Sequence, residues 1–264
     1  MKYIASLLVL FVLINSAYSQ KKTAPTDEDL LKLYKGLRVA DVSDGMDMVG
    51  LIDVGLMAPE IAPLWKDIKE FKHQLTGIAF TVRYVPTNRR TIPRDTTIEG
   101  CKKWRDQWYT TISPEPFIKD LRPGNILIIE NPKDGDTGSV GSNNSMLWKK
   151  NGALGIISSG GIRDTDEIIK QGIPVYTDYL QRGRGIRPGR NEYLYHNKPV
   201  VVGDVLVYPG DVIVADGDGV IVVPRKYALE VAIAAKEELR LDKNARRKLY
   251  EELGLPVDFT VEEN

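Results

Sequence analysis

The segment Gly138–Ile168 reads GSVGSNNSMLWKKNGALGIISSGGIRDTDEI, and it decides the fold. The apolar run NILIIE (Asn125–Glu130) precedes it, a second run, ALGIIS (Ala153–Ser158), lies within it, and a third, Ile173–Thr177, follows it. Between the runs lie two stretches with the composition of short helices, over about Ser142–Lys150 and Asp164–Lys170. Short apolar strands that alternate with helices indicate a parallel sheet with right-handed crossovers. The sequence therefore predicts an α/β fold built around a central parallel βαβαβ unit.

The flanking segments extend this core on both sides. Upstream, Val39–Gly50 has the pattern of a helix, and Leu75–Pro86 is β-branched and aromatic, as in a strand. Downstream, Pro199–Pro224 is a series of short β segments broken by Gly-Asp and Pro-Gly pairs. The segment Tyr227–Gly254 is charged and amphipathic, which predicts a C-terminal helix within an extension over residues 225–254.

One stretch lacks clean periodicity. Residues 87–122, which we call the insertion, are polar and rich in Arg, Thr, Pro and Trp. We expect loops with one helix over about Glu99–Thr110, placed where they cover a neighbouring chain or a pocket. Nothing in the sequence resembles a linker between two independent domains, so residues 20–264 are predicted to form a single domain with its core over about 36–224.

Composition excludes several classes of protein. The 264 residues include 36 Lys and Arg and 36 Asp and Glu, so the formal net charge is zero. A general nucleic-acid binder normally carries a basic excess, so no nucleic-acid partner is expected. One Cys (Cys101) rules out an intrachain disulfide, and two distant His (His73 and His196) argue against a zinc centre.

The N-terminus has the three parts of a secretory signal peptide. Lys2 is followed by the uncharged run Ile4–Ile14, and Ala17 and Ser19 occupy the small-residue positions before a cleavage site. The apolar run is too short to span a bilayer about 30 Å thick. We therefore expect residues 1–19 to be removed and the protein to be exported to the periplasm or the extracellular space, without membrane attachment.

Two strand-to-helix turns are the candidate site, because ligands of open α/β sheets bind at the carboxyl ends of strands. The first turn, Gly138–Ser145, presents backbone N–H groups at a helix N-terminus, which is suited to an anion. The alternative is a plain glycine-rich turn with Ser142 as the helix N-cap.

The second turn ends in Arg163 and Asp164. The guanidinium can bind a carboxylate through two hydrogen bonds, and the Asp carboxylate can bind a hard cation such as Mg²⁺ or Mn²⁺. The same residues also have the pattern of a capping box, with Asp164 as N-cap and Glu167 at the third helical position, and the two interpretations are not exclusive.

The order of these motifs resembles the RraA-like family. That family contains the class II 4-hydroxy-4-methyl-2-oxoglutarate aldolases and the regulator of ribonuclease E activity. The resemblance is carried by Gly138–Ile168 and by VADVSDGMDMVG (Val39–Gly50), LTGIAFTV (Leu75–Val82) and VYPGDVIVADGDGVIVVP (Val207–Pro224). The insertion departs from the family in length.

The resemblance implies an α/β/α sandwich of the swivelling βαβ type, assembled as a homotrimer or hexamer. It implies a divalent metal, Mg²⁺ or Mn²⁺, held by Asp164, and a pyruvate-like 2-oxo acid bound by Arg163. Arg163 and Asp164 are thus the candidate catalytic residues. The candidate substrate contacts, through backbone N–H groups, are Gly141, Ser142, Asn143 and Asn144.

One position departs from the family's aldolases, which carry an aspartate twenty-one residues before the arginine. Ser142 occupies that position here. A hydroxyl does not titrate as a carboxylate does, so proton handling must differ from that of the relatives, or another residue must supply it.

Three functions remain open from the sequence. The first is a divalent-metal-dependent lyase that cleaves a 2-oxo acid, either by retro-aldol release of pyruvate or by decarboxylation of an oxaloacetate-type substrate. The second is a non-catalytic binding or regulatory protein that retains the fold. The third is an exported lyase or isomerase of a sugar acid, with the Arg-rich loop Gln181–Arg190 in its substrate pocket.

Overall fold

The structure, a computed structural model, describes residues 24–132, 137–178, 187–188 and 191–262. These residues contain six α-helices and thirteen strands. The helices are α1 (Asp27–Tyr34), α2 (Val39–Met48), α3 (Ile98–Gln107), α4 (Ser142–Lys150), α5 (Thr165–Lys170) and α6 (Ala228–Leu253). The strands are β1 (Ile61–Pro63), β2 (Leu75–Pro86), β3 (Asn125–Glu130), β4 (Thr137–Val140), β5 (Ala153–Ser158), β6 (Gly161–Ile162), β7 (Val175–Asp178), β8 (Arg187–Pro188), β9 (Asn191–His196), β10 (Val200–Val202), β11 (Val205–Val207), β12 (Val212–Asp216) and β13 (Gly219–Val223).

The predicted βαβαβ unit forms the middle of the main sheet. Strands β2, β3, β5 and β7 are parallel neighbours, and the sheet runs in the order β1-β7-β5-β3-β2-β12-β13. The bounds of β3, α4 and β5 are those predicted from the sequence. Strand β7 begins at Val175, two residues later than expected, and Pro174 before it has no N–H to donate to a sheet.

The long strand β2 has two partners along one edge. Its first half pairs with β12 from Leu75 to Ile78, and its second half pairs with β9 from Val82 to Pro86. The amino-terminal half of β2 therefore belongs to the part of the sheet beneath α1, α2 and α6. The carboxyl-terminal half leads to the edge of the sheet where the predicted site lies.

All helices that pack on the main sheet lie on the same face. Helices α1, α2 and α6 cover the β12–β13 end, and α4 and α5 cover β3, β5 and β7. The opposite face is covered by the β10–β11 hairpin through Val200, Val202 and Val207. The α/β class, the parallel unit and the C-terminal helix are thus as predicted, but a β-hairpin forms the outer layer where an α/β/α sandwich would have helices.

The strand order explains this layering. The chain steps from β3 to β5 to β7 in one direction across the sheet. Because right-handed crossovers that step in one direction all pass over the same face, α4 and α5 must lie together. Side chains alternate accordingly: Leu127 and Ile129 of β3 face the helices, and Ile126 and Ile128 face the hairpin.

The insertion is packed against its own chain. It contains α3, which is shorter than the predicted helix, followed by a π-helical turn (Trp108–Ile112) and a 3₁₀ helix (Pro116–Asp120). The indole Nε1 of Trp108 donates to the backbone oxygen of Asn191 at 3.2 Å. Asp120 lies 3.1 Å from His196 Nε2, so both ends of this segment are attached to β9.

Two predicted features fall outside the described residues. The proposed signal peptide, residues 1–19, lies outside them, as does most of the Arg-rich loop. Among the residues that the structure does describe, no helix is both long enough and apolar enough to cross a membrane.

The turn between α4 and β5 requires glycine at position 152 because of its positive φ and because the Arg122 backbone lies close to it. Two glycine-to-alanine variants distinguish the cost of these two effects. Gly152 has φ +113°, and a Cβ there would lie 2.5 Å from the carbonyl carbon of Arg122; Gly50 has φ +81° and open space around it. We expect Gly50→Ala to destabilise the fold by about 1 kcal/mol through backbone strain alone. Gly152→Ala should cost about 2 kcal/mol more, because the backbone must also move.

Urea unfolding of both variants measures this difference. Equal free energies of unfolding for the two variants would show that the close approach to Arg122 does not constrain the turn.

Candidate functional site

A pocket of about 440 Å³ lies at the carboxyl ends of β2, β4 and β6. It is bounded by the N-terminus of α4 on one side and by the insertion on the other. The lining residues are Tyr84, Tyr109, Ser113, Glu115, Gly138, Ser139, Gly141, Asn143, Asn144, Arg163, Asp164 and Asn191.

A small second sheet brings the two predicted turns together. Strand β4 pairs in parallel with β6, and the backbone N–H of Arg163 donates to the carbonyl oxygen of Val140 at 2.8 Å. The first turn continues from β4 into α4, and the second continues from β6 into α5. Their residues therefore face a single pocket, which is the convergence that the strand topology predicts.

Ser142 does not have the capping role considered in the sequence analysis. The N-cap of α4 is Gly141, in an extended conformation, and Ser142 is the first helical residue. Its backbone N–H donates to Asp164 Oδ2 at 3.1 Å, and its hydroxyl lies 3.4 Å from the same oxygen. The free N–H groups of a helix start need acceptors, and Asp164 supplies one from the other turn.

Asp164 occupies the predicted N-cap position of α5, but its side chain does not cap the helix. It precedes α5 in the left-handed region, at φ +57°, and its side chain makes no capping hydrogen bond to that helix. The capping box with Glu167 is therefore wrong: the carboxylate points across to Ser142. Aspartate tolerates this backbone region better than most residues, and such conformations concentrate at functional sites.

Arg163 and Asp164 form a loose pair with room for a ligand. The Arg163 Nε and Asp164 Oδ1 atoms are 4.0 Å apart, and the two side chains are 39% and 38% exposed. An exposed ion pair at this distance contributes at most about 1 kcal/mol to the free energy of unfolding. Each of the two side chains therefore keeps a charge that can interact with a ligand. Gly141 makes the approach possible, since a Cβ there would lie 2.9 Å from Asp164 Oδ2.

Asn143 and Asn144 follow Ser142 on the first turn of α4 and line the same pocket. The first N–H groups of a helix have no intrahelical acceptor, so these two backbone positions suit an anionic group. The side chain of Asn144 is engaged elsewhere, because its Nδ2 donates to Glu115 Oε1 at 2.5 Å.

Five lining residues, which come from other segments, were not predicted from the sequence. Tyr84 and Asn191 come from β2 and β9, and Tyr109, Ser113 and Glu115 come from the insertion. The sequence indicated their role only through the general expectation that the insertion covers a pocket or a neighbouring chain. Long-range pairing of β2 with β9 and packing of the insertion on β9 place these residues, and neither has a local pattern.

Asn191 joins the insertion to the floor of the pocket. Its Nδ2 donates to Asn131 Oδ1 at 2.9 Å and to Ser139 Oγ at 3.0 Å. Its Oδ1 accepts from the Ser113 hydroxyl at 3.3 Å. Asn191 is buried, so these bonds compensate its desolvation and hold the insertion in place.

Glu115 is the second carboxylate in the described lining. Burial raises the pKa of its carboxyl, although the hydrogen bonds from Trp148 and Asn144 oppose the shift. Burial likewise raises the pKa of the Tyr109 hydroxyl, and the positive charge of Arg163 opposes that shift. The insertion thus places one carboxyl and one phenol in the pocket that contains Arg163.

The donor set suits a cation that keeps much of its water. Within the described ranges, no group of three or more His, Cys, Asp or Glu side chains could hold a metal. Mg²⁺ is commonly held by one or two carboxylates, with waters and substrate oxygens completing the shell. Asp164, exposed to the pocket, fits that mode.

Of the arginines in the basic loop Gln181–Arg190, Arg182, Arg184 and Arg190 lie outside the described residues.

Comparisons with known proteins agree with this architecture. The sequence profile of the RraA-like family (Aldolase/RraA) matches residues 39–222. Protein DlpA of Legionella pneumophila is 25% identical over 208 residues, which cover 78% of this chain and 29% of that protein. A protein of Paraburkholderia phytofirmans, named provisionally as a 4-hydroxy-4-methyl-2-oxoglutarate aldolase, is 32% identical over 107 residues, covering 40% of this chain and 62% of its own.

A solved structure shows the same fold. RraAS2 of Streptomyces coelicolor, described as an unusual member of the RraA family, superposes with a TM-score of 0.64 at 23% identity. The match covers 85% of this chain and 98% of that one. The chain spans less than two thirds of the length of the two curated relatives above. The profile match covers most of the present sequence, and on that ground the chain belongs to the RraA-like family.

Proposed function

We propose that this protein is a divalent-metal-dependent lyase that cleaves a 2-oxo acid to release pyruvate. The observation that carries the proposal is the placement of Arg163 and Asp164, both partly exposed, beside free N–H groups of α4 in one pocket. The provisional aldolase name of a relative agrees with it. Substrates of this class are 4-hydroxy-2-oxo acids, cleaved by a retro-aldol step, and oxaloacetate-type acids, which lose carbon dioxide.

The substrate carboxylate would be bound by Arg163 and by backbone N–H groups of Asn143 and Asn144. A guanidinium provides two parallel hydrogen bonds to a carboxylate, and a helix N-terminus adds favourable partial charge. This arrangement orients the 2-oxo group toward Asp164. The insertion, through Tyr109, forms the opposite wall of the pocket.

Asp164 would hold the Mg²⁺ or Mn²⁺ ion. When bound, such an ion acts as a Lewis acid at the 2-oxo oxygen. The hydrogen bond from the Ser142 N–H fixes Asp164 Oδ2, which leaves Oδ1 directed into the pocket region near Arg163. Cleavage places negative charge on the pyruvate portion, and the fixed guanidinium of Arg163 stabilises that charge.

Two further properties belong to the proposal. We propose that the chain is exported, on the basis of the signal-peptide pattern in residues 1–19. We also propose a homotrimer or hexamer, on the basis of the family resemblance. N-terminal sequencing of the protein from its natural host tests the proposed export. Gel filtration with light scattering of the purified protein tests the proposed homotrimer or hexamer.

The lyase activity is tested by assaying pyruvate release from 4-hydroxy-2-oxo acids and from oxaloacetate with Mg²⁺ or Mn²⁺ present. Asp164→Asn keeps the shape of the side chain and an acceptor for the Ser142 N–H, but it removes the charge. We expect Mn²⁺ affinity and pyruvate release to fall by at least about 100-fold. Asp166→Asn, on the exposed side of α5, is the matched control and should behave as the wild type.

Absence of pyruvate release from every substrate of these classes would contradict the lyase function. If Mn²⁺ binding were also absent by calorimetry and unchanged by Asp164→Asn, the non-catalytic alternative would stand in its place.

Gly141→Ala tests the geometry around Asp164 without removing a functional group. Gly141 has φ −128°, so alanine causes no backbone strain, but its Cβ would meet Asp164 Oδ2 at 2.9 Å. The carboxylate must move away from the Ser142 N–H. We expect a change of less than about 1 kcal/mol in the free energy of unfolding. Mn²⁺ affinity should fall by roughly 10-fold to 100-fold, as when a group that orients a metal ligand is lost.

Calorimetric titration with Mn²⁺ and thermal unfolding measure the two effects of Gly141→Ala. Unchanged Mn²⁺ affinity would mean that the contact between Gly141 and Asp164 does not orient the ligand.

A further inference from the structure

We propose that Glu115, on the insertion, is the proton-transferring residue of this pocket, in place of the carboxylate that is absent at Ser142. The inference rests on the proposed lyase function and deepens it. It assigns a catalytic role to a segment that is not part of the βαβαβ unit. Four observations carry it, and they concern the position, the orientation, the surroundings and the chemistry of the carboxyl group.

The position of Glu115 is set by the insertion. It lies between the π-helical turn that carries Trp108 and the 3₁₀ helix that ends at Asp120. Trp108 is bonded to Asn191 and Asp120 to His196, so β9 holds the segment on both sides of Glu115. The carboxyl group is thereby held in the wall of the pocket.

Both carboxylate oxygens are oriented by α4, the helix that begins at Ser142. Asn144 Nδ2 donates to Oε1 at 2.5 Å, and the indole Nε1 of Trp148 donates to Oε2 at 3.0 Å. Trp148 is buried, whereas Asn144 and Glu115 both line the pocket, so the carboxyl group lies between the core and the pocket. An acid or base must be fixed within reach of the reacting proton, and these two bonds restrict the rotation of the carboxyl group.

The surroundings leave this task to Glu115. The carboxylates in the described lining of the pocket are Glu115 and Asp164, and Asp164 accepts from Ser142. The other titratable groups of the lining are the Tyr84 and Tyr109 hydroxyls and the Arg163 guanidinium. Burial raises the pKa of both phenols above their ordinary value, so neither is a base near neutral pH.

The chemistry requires one proton to move twice. The Glu115 carboxylate accepts the proton of the substrate's 4-hydroxyl, whose O–H electrons form the new carbonyl. The C3–C4 bond breaks, and its electron pair passes into the enolate of pyruvate. The proton then moves from the Glu115 carboxyl to C3 and completes the methyl group. Burial of Glu115 favours this double role, because a raised pKa brings the acid and base forms closer in energy.

The experiment isolates this proton transfer by measuring exchange of the methyl protons of pyruvate for deuterium in D₂O, by NMR, with Mg²⁺ present. In the wild type, exchange should rise with pH as Glu115 becomes ionised. Glu115→Gln should slow exchange by at least about 100-fold and remove this pH dependence. Glu115→Asp should restore part of the rate, and added formate should restore part of it in Glu115→Ala. Glu99→Gln, exposed on α3, is the matched control.

A second readout does not depend on activity. Infrared titration of the metal-free protein should show a protonated carboxyl band that persists above the ordinary pKa of glutamate, and Glu115→Gln should lose the part of this band that belongs to Glu115. Asp211 and Asp216, whose pKa burial also raises, contribute equally to both spectra. Thermal unfolding of each variant separates loss of fold from loss of proton transfer.

The outcomes are distinct. If Glu115→Gln remains folded and exchanges within about 3-fold of the wild type, Glu115 is not the proton-transferring residue, and the lyase proposal stands. If the wild type neither exchanges pyruvate nor cleaves any 2-oxo acid, the lyase proposal fails and the role of Glu115 fails with it. Formate rescue of Glu115→Ala together with the lost pH dependence supports the inference, since a purely structural role would produce neither.

Discussion

The hydrogen bond from the Ser142 N–H to Asp164 Oδ2 is the interaction on which the site depends. It joins two turns that are twenty-two residues apart, each at the end of a strand of the small second sheet. It satisfies a donor at the start of α4 and fixes a carboxylate whose own backbone is in the left-handed region. The absence of a side chain at Gly141 allows the two turns to come this close. Arg163, held by Val140, stands beside this contact and faces the same pocket.

The sheet explains why these turns meet. Each step of the chain from β3 to β5 to β7 goes in the same direction, and right-handed crossovers then place α4 and α5 on one face. The N-termini of both helices consequently point to the same edge. Among the described residues no crossover covers the other face, and the β10–β11 hairpin supplies apolar side chains that pack on the strands there.

Local patterns were sufficient for the core of the fold. The bounds of β3, α4 and β5 follow from apolar runs separated by a helical stretch, and Gly152 marks the turn that ends the helix. The side-chain caps considered for Ser142 and Asp164 do not form, and the reason is shared. A capping pattern is local in sequence, whereas the acceptor of the Ser142 N–H is supplied from another strand end. Glu115 and Asn191 were not predicted, because the pairing of β9 with β2 places Asn191 and the packing of the aperiodic insertion on β9 places Glu115.

The pocket is formed partly by turns at strand ends and partly by the insertion, and this has a consequence for the substitutions that the protein can accept during evolution. The Arg163–Asp164 turn belongs to the packed sheet, where substitutions disturb many neighbours and cost stability. Tyr109 and Ser113 line the pocket from connecting segments of the insertion, outside the strands of the sheet, and such segments tolerate substitution more readily. Under the proposed function, new substrate preferences can therefore arise at these positions of the insertion while the half of the pocket proposed to bind the carboxylate and the cation stays constant. The residues that stabilise the strand-end half of the pocket and the residues that would select the substrate thus lie in separate segments of one chain.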